Sequence, residues 1–202
     1  MNPVTTIPSS GTVIGGTETA EPPRLEGKRF SLVPLTPEHH YTAYRISLSE
    51  EVNYRWRYHG AMPTWETFEA TLHANVLVQF LVVANQEPKT PVGLVTAYNP
   101  SLQDGTCYLG MVGSRKLGAG VLEGFILMTG YLFDVWPLRK IYVESPEFNV
   151  GQFASAIQLG YLHEEGRLAA HRYYRGRHWD HLTYAIYRED LEKFGIDHPD
   201  LV

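Results

Sequence analysis

Residues 114–120, SRKLGAG, place two cations and two glycines between a strand-like segment, TCYLGMVG, and a helix-like segment, VLEGFILMTGYLFDVW. A helix N-terminus exposes unpaired N–H groups and carries about half a positive charge, which suits a phosphate group. Gly118 and Gly120 would let a pyrophosphate approach those groups, and Arg115 and Lys116 add charge. The Gly-Lys-Ser/Thr of a Walker loop and the GxGxxG of a Rossmann fold are missing. Taken alone, the segment therefore fits either a phosphate site or a plain strand-to-helix turn.

The elements that position this segment follow the predicted order β-α-α-β-β-β-α-β-α-β-β. Alternating apolar patterns predict strands at 29–36, 78–86, 90–100, 105–113, 140–145, 167–174 and 181–188. Helical spacing predicts helices at 36–52, 64–76, 121–136 and 149–160. Thr36 and Thr64 are the predicted N-caps of the first two helices. The three consecutive strands before residue 114 predict an antiparallel meander.

The bulk composition predicts one soluble domain. A chain of 202 residues fits a single core over 25–202, preceded by a flexible segment, 1–24, that is rich in Thr, Ser, Gly and Pro. A net charge of −5 argues against DNA binding, and no apolar run suggests a membrane span. The single cysteine, Cys107, excludes an intrachain disulfide and favours a reducing cytoplasm. No histidine pattern predicts a metal site.

Several ordered motifs make the glycine segment more specific. Arg115, Gly118 and Gly120 match the Gln/Arg-x-x-Gly-x-Gly/Ala signature of the GNAT superfamily of acyl-coenzyme A-dependent N-acyltransferases, which the chain resembles from about residue 24 to 194. It looks closest to the branch of the ribosomal-protein N-terminal acetyltransferases. The motifs that carry this resemblance are Asn149, Leu159-Gly160-Tyr161, Glu165-Gly166 and Gly176 with Asp180.

The resemblance implies an α/β fold with a splayed, mixed sheet of about seven strands and about four helices. The strands that contain Val112 and residues 140–145 would diverge, and the pantetheine arm of coenzyme A would lie in the gap. The implied residues for binding the acyl-coenzyme A are Met111, Val112, Gly113, Arg115, Lys116, Leu117, Gly118, Ala119, Gly120 and Asn149.

The proton-transfer groups depart from the family pattern. Where relatives carry a Ser or Tyr that protonates the leaving thiolate, this chain has Gln152 and Ala156, and the nearby Ser155 would face away. Gln152 would then hydrogen-bond the sulfur, water would protonate it, or the donor is not ordinary acyl-coenzyme A. His171 and Glu144 are the candidate bases, since an imidazole titrates near neutral pH and Glu144 ends the strand beside the expected carbonyl.

The acceptor side is predicted in residues 51–66. Tyr54, Trp56, Tyr58 and His59 would line a pocket, with Arg55 and Arg57 facing an anionic group of the acceptor or donor. The alternative is a packed helix end with amphipathic aromatic residues.

These observations leave three functions open. The first is a cytoplasmic N-acyltransferase that moves an acetyl or larger group from acyl-coenzyme A to the amine of a small metabolite or peptide. In the second, an acyl carrier protein or aminoacyl-tRNA is the donor, and a carrier would meet a basic face formed by Arg115, Lys116, Arg139 and Lys140. The third is a catalytically silent acyl-coenzyme A-binding module. A homodimer is left open.

Overall fold

The computed structural model describes residues 25–49, 52–55, 57–113 and 120–197. The predicted flexible segment 1–24 lies outside the described residues, as do Trp56 and the phosphate-site residues Arg115, Lys116, Leu117, Gly118 and Ala119. Their predicted roles therefore stay predictions.

Seven strands and five α-helices make up the described fold. The strands are β1 (Phe30–Pro34), β2 (Val76–Ala84), β3 (Pro91–Ser101), β4 (Thr106–Gly113), β5 (Lys140–Pro146), β6 (His163–Tyr174) and β7 (Arg177–Tyr187). The helices are α1 (His40–Ser47), α2 (Trp65–Thr71), α3 (Gly120–Val135), α4 (Ala154–Gln158) and α5 (Arg188–Asp197), with 3-10 turns at Pro37–His39 and Glu147–Phe153.

All seven strands form one sheet in the order β1-β2-β3-β4-β5-β7-β6. The β4–β5 pair is parallel and every other pair is antiparallel, so the predicted meander is confirmed. One face of the sheet packs on α3, whose Ile126, Met128 and Leu132 are buried. The other face packs on α1 and α2 through Ala43 and Phe68. The result is a mixed sheet between two helical layers, as predicted.

The parallel pair is short because β4 and β5 diverge. Three residue pairs join the strands, from Thr106↔Lys140 to Tyr108↔Tyr142, while β4 continues to Gly113 and β5 to Pro146. The predicted splay of the sheet is therefore present. The gap between the two strands opens at their C-terminal ends, where β4 ends and the chain continues to α3.

The N-terminus of α3 is anchored to the first strand by a buried carboxylate. Glu123, in the first turn of α3, accepts the main-chain N–H of Arg29 through Oε1 at 2.9 Å and the Arg29 Nε through Oε2 at 3.3 Å. Gly27 lies directly against it, and a Cβ there would collide with Oε1 and come within 2.8 Å of the main-chain oxygen of Phe30. This contact explains a glycine at position 27 and holds the helix end that follows β4.

Several predicted boundaries are wrong. The helix predicted for 149–160 is a 3-10 turn over Glu147–Phe153 followed by the short α4. The helix predicted to reach Val76 ends at Thr71, because Asn75 takes φ +55° and Val76 begins β2. The Thr64 cap is confirmed, since its hydroxyl accepts the Thr67 N–H at 3.3 Å. Helix α5 was not predicted.

The last hairpin is tighter than predicted, and its first strand is bulged. The connection is Arg175-Gly176, and both residues have positive φ. Residues 177–180, which were predicted to belong to the loop, are therefore part of β7. Between Leu168↔His181 and Arg172↔Trp179 the edge strand β6 carries extra residues, with Ala170 at φ +49°. Asp180 holds this bulge by accepting the Ala170 N–H at 2.9 Å.

Across the described part of the chain, no helix combines the length and apolar character needed to cross a membrane.

Candidate active site

A cavity of about 480 Å³ occupies the gap between β4 and β5. Its walls come from β3, β4, β5, β6, β7, α3, the 3-10 turn 147–153 and the segment 55–59. The lining residues are Arg55, Arg57, His59, Thr96, Tyr98, Leu109, Gly110, Met111, Val112, Gly113, Phe125, Val143, Glu144, Pro146, Asn149, Gln152, Phe153, Arg172 and His181.

One wall of the cavity is the free edge of β4. Strand β3 pairs with β4 as far as Gly113, through Val95↔Met111 and Leu94↔Val112. On its other edge, β4 pairs with β5 only as far as Tyr108. Main-chain N–H and C=O groups of a strand alternate between its two edges, so those of residues 109–113 that point away from β3 face the cavity. They can pair with the amide groups of an extended ligand.

Glu144 and His181 form the polar end of the cavity. Glu144 lies beyond the last β4–β5 pair and its side chain is 33% exposed. His181, on β7, is 5% exposed, and its Nε2 lies 3.8 Å from Glu144 Oε1. His181 lowers the pKa of Glu144 and outweighs the opposing effect of burial. Glu144 is therefore ionised at neutral pH, which leaves its oxygens able to attract an ammonium group or accept a proton.

Arg172, on β6, lies between two imidazoles. Its Nε donates to His181 Nδ1 at 3.4 Å and its Nη1 lies 3.3 Å from His59 Nε2. A guanidinium only donates, so both imidazole nitrogens must be unprotonated acceptors. The proton of a neutral His181 is then on Nε2, which faces Glu144. Arg172 thus sets the tautomers of both histidines.

His59 reaches this cluster from a strained turn. It has φ +48° and is followed by Gly60 at φ +93°. A non-glycine residue in this region is sterically disfavoured, and such conformations occur at functional sites. Burial first, and then the charge of Arg172, lowers the pKa of His59. His59 is therefore neutral at pH 7 and can accept the Arg172 hydrogen bond.

The opposite wall of the cavity is the 3-10 turn 147–153, which supplies Asn149 and Gln152. Asn149 Oδ1 accepts Arg55 Nη1 at 3.1 Å, and Asn149 Nδ2 donates to Ser145 Oγ at 3.4 Å. These bonds join the segment before α2 to the end of β5. Gln152 has a neutral amide, so it can donate a hydrogen bond into the cavity but cannot supply a proton.

Most predicted site residues within the described ranges line this one cavity. Those that do are Glu144, Gln152, Met111, Val112, Gly113, Asn149, Arg55, Arg57 and His59. Gly120 begins α3.

Two predicted acceptor residues lie elsewhere. Tyr54 stacks on Tyr174 at 4.4 Å between ring centroids and contacts Phe148 at 5.9 Å. Tyr58 packs against Phe68 in the core under α2, and its hydroxyl lies 3.3 Å from Thr71 Oγ1. Both tyrosines pack against neighbouring aromatic rings and so support the segment that carries Arg55, Arg57 and His59. Their contacts fit the alternative interpretation, in which these aromatic residues pack and do not line the acceptor pocket.

His171 lies outside the cavity lining. It is exposed in the β6 bulge, with its ring centroid 5.6 Å from that of His181. Arg172 pairs opposite Trp179, two residues from His181, and therefore shares the face of His181. The neighbouring His171 does not share that face, so Arg172 and not His171 lines the cavity.

Sequence reasoning did not select His181 or Tyr98. Thr183 pairs with Glu144 across the two strands, so their side chains lie on the same face of the sheet. His181 is two residues from Thr183 on β7 and therefore shares that face. This relation depends on the register of β5 and β7, which the sequence alone does not give. Tyr98 lies on β3 opposite Tyr108. Burial raises the pKa of Tyr98, so its hydroxyl stays protonated.

Among the described residues, no group of three or more His, Cys, Asp or Glu side chains is arranged to hold a metal ion.

No protein-family model matches the sequence, and no curated protein matches it. Solved structures do match. The spermidine N-acetyltransferase from Vibrio cholerae, in complex with CoA and spermine, is 17% identical with a TM-score of 0.69, over 81% of this chain and 98% of that chain. A GCN5-related N-acetyltransferase from Brucella melitensis is 20% identical with a TM-score of 0.66, over 88% and 85% of the two chains. These similarities show the fold of this chain, which is that of the GCN5-related N-acetyltransferases.

Proposed function

We propose that this protein is an N-acyltransferase that moves an acyl group from acyl-coenzyme A to a primary amine by direct attack. The observation that carries the proposal is the β4–β5 gap. A cavity in that gap has a free strand edge on one side and the ionised Glu144 on another. The strand edge would bind an extended arm that contains amide groups, and Glu144 would accept a proton from the attacking amine beside it.

The free edge of β4 fits the pantetheine arm of coenzyme A. Main-chain groups of Met111, Val112 and Gly113 would hold its amides, and Asn149 would line the facing wall. We assign the pyrophosphate to Arg115, Lys116, Leu117, Gly118 and Ala119, which connect β4 to α3 in the sequence, and to Gly120, the first residue of α3. When bound, acyl-coenzyme A supplies a thioester carbonyl carbon for the amine to attack. A main-chain N–H on this edge would polarise the carbonyl oxygen.

Glu144 is the proposed proton acceptor. An amine enters as an ammonium ion, which the carboxylate attracts and then deprotonates directly or through a water molecule. His181, 3.8 Å away, orients the carboxylate through Nε2 and is itself held by Arg172. His171, which is exposed and lies next to His181, remains the second candidate for the proton acceptor.

Gln152 is the proposed partner of the leaving sulfur. Its amide N–H would hydrogen-bond the thiolate, and water would then provide the proton. A hydrogen bond lowers the energy of the developing charge without a titratable acid. This assignment rests on the position of Gln152 in the cavity wall.

The acceptor is proposed to be a small amine or a peptide amine, since the Vibrio cholerae neighbour acts on spermidine. The Asn149, Glu165-Gly166 and Asp180 motifs support a place near the ribosomal-protein N-terminal acetyltransferases. A carrier-protein donor has less support. Lys140, assigned to its basic face, is buried and paired with Glu165 at 2.6 Å.

Two measurements test the proposal. Coenzyme A and acetyl-coenzyme A should each raise the melting temperature, because a ligand that binds only the folded state stabilises it. Free-thiol release from acetyl-coenzyme A should then depend on an added amine from a panel of metabolites and peptides. Stabilisation without thiol release would identify a silent binding module, and the absence of stabilisation would contradict both interpretations.

A further inference from the structure

The candidate cavity is cationic although the protein is acidic. Among the residues that the structure describes, its lining includes Arg57 and Arg172 and one carboxylate, Glu144, whereas the whole chain has a net charge of −5. Charged groups brought together in a partly enclosed space cost free energy unless a partner compensates them. The excess of positive charge therefore marks a binding preference.

Within the described part of the chain, the hydrogen bonds of Arg57 and Arg172 go to neutral groups. Arg57 Nη1 lies 3.4 Å from the carbonyl oxygen of Thr71 and 3.3 Å from that of Leu72. Arg172 donates to the imidazoles of His181 and His59. Among the ion pairs of the described residues, neither guanidinium has a carboxylate oxygen within 4 Å. Both are held in place by hydrogen bonds that do not neutralise their charge, although Arg172 lies close enough to Glu144 to help lower the pKa of that carboxylate.

The two arginines, Glu144 and Tyr98 line the same cavity. Burial raises the pKa of that hydroxyl most strongly, Glu144 raises it further, and Arg172 and Arg57 lower it. All three charges therefore act at one point of the cavity wall. A ligand next to Tyr98 therefore lies within reach of one negative group and two positive groups.

Building on the proposed acyl transfer, we propose that Arg57 and Arg172 bind a carboxylate of the substrate, and that the acceptor is an amine that carries this carboxylate, as an amino acid does. The forked N–H groups of a guanidinium match the two oxygens of a carboxylate. Glu144 repels the carboxylate and attracts the ammonium group, so the two ends of an amino acid are oriented. The amine then lies at the proposed proton acceptor.

A polyamine fits this cavity poorly. Every further ammonium group would approach these guanidinium groups, and like charges in a partly buried site repel. The spermidine of the Vibrio cholerae neighbour is therefore not carried over to this chain. A carboxylate could also enter on the acyl group, as in succinyl-coenzyme A, and would use the same arginines.

Matched probes distinguish the two sources. On the acceptor side, binding to the protein saturated with coenzyme A is measured by calorimetry for leucine and isopentylamine, phenylalanine and phenethylamine, and tyrosine and tyramine. On the donor side, succinyl-coenzyme A is compared with butyryl-coenzyme A, which has the same chain length without the carboxylate. The variants are Arg57→Gln and Arg172→Gln. Arg45→Gln, at an exposed position of α1 outside the cavity lining, is the control.

We expect at least one amino acid to bind about tenfold to a hundredfold more tightly than its matched amine, the range of charge-assisted hydrogen bonds. Arg57→Gln and Arg172→Gln should each reduce this preference, and Arg45→Gln should leave it unchanged. A preference only for succinyl-coenzyme A would keep the carboxylate site but move it from the acceptor to the acyl group. If coenzyme A binds and no pair shows a preference, or both arginine variants retain it, the proposal is overturned. Failure of coenzyme A itself to bind contradicts the proposed acyl transfer instead.

Discussion

The Oε1 oxygen of Glu144 lies 3.8 Å from the Nε2 nitrogen of His181, between the neighbouring strands β5 and β7. Arg172 holds the other ring nitrogen of His181. His181 holds the pKa of Glu144 below its usual value, so the carboxylate stays ionised in the β4–β5 gap. These two residues form the centre of the proposed proton transfer.

Replacing the proposed proton acceptor should slow turnover strongly without loss of donor binding. Glu144→Gln keeps the shape of the side chain but removes its negative charge, so we expect kcat/KM to fall about 10²- to 10⁴-fold, as for a lost general base. Thiol release measures the rate, and the melting temperature with and without coenzyme A measures binding. Glu192→Gln, at an exposed position of α5, should behave as the native protein. Equal activity of both variants would exclude Glu144 as the base.

The two neighbouring histidines should differ in their effect on catalysis. His181→Gln removes the group beside Glu144 and an acceptor of Arg172, so we expect turnover to fall about tenfold or more. His171→Gln changes an exposed bulge residue and should keep turnover within about twofold. Both are compared at equal folded fraction, checked by circular dichroism. A larger loss in His171→Gln would make His171 the base in place of Glu144.

The glycine segment should be required for coenzyme A binding. Gly118→Val places a branched side chain where a pyrophosphate would approach main-chain N–H groups, so thermal stabilisation by coenzyme A should be lost. Gly130→Ala in α3 is the matched control, since a Cβ there meets no atom within 4 Å. It should raise the unfolding free energy by about 0.5–1 kcal/mol and leave coenzyme A binding intact. Normal binding by Gly118→Val would remove the segment from the donor site.

The Lys140–Glu165 pair should contribute stability that depends on pH. Lys140 Nζ donates to Glu165 Oε2 at 2.6 Å and to Oε1 at 2.9 Å, and the Tyr187 hydroxyl also donates to Oε1. The Lys140 hydrogen bond, followed by that of Tyr187, holds the pKa of Glu165 below its usual value of 4.5. Because the folded pKa is the lower one, the stabilisation is present above pH 4.5 and is lost as pH falls through the folded pKa.

Glu165→Gln should therefore lower the unfolding free energy by about 1–2 kcal/mol at pH 7, because Lys140 keeps a partner without charge. The difference from the native protein should shrink in urea denaturation below pH 4. Exposed Glu192→Gln should show no difference at either pH. A constant difference across this range would mean that the charge of Glu165 does not stabilise the fold.

Local patterns were sufficient for the framework of the fold. The alternation in 78–113 predicted the meander, the Thr64 cap began α2, and ordered motifs suggested the divergence of β4 and β5. Each of these depends on a strand period, on a cap within a few residues, or on a resemblance that spans the chain. The predicted helix at 149–160 failed because a 3-10 turn and an α-helix place apolar residues at similar spacings.

The sequence by itself determined which residue types were available and which strand each occupied, including Glu144 on β5 and Gln152 after it. Tertiary structure alone decided which of them meet. The β6 bulge and the β5–β7 register put Arg172 and His181 into the cavity with Glu144 and left His171 exposed, and the left-handed turn at His59 placed a second imidazole beside Arg172. A register shift changes the contacts of a whole strand, and the register is set by pairing with residues far away in the sequence. A local sequence pattern therefore cannot predict it.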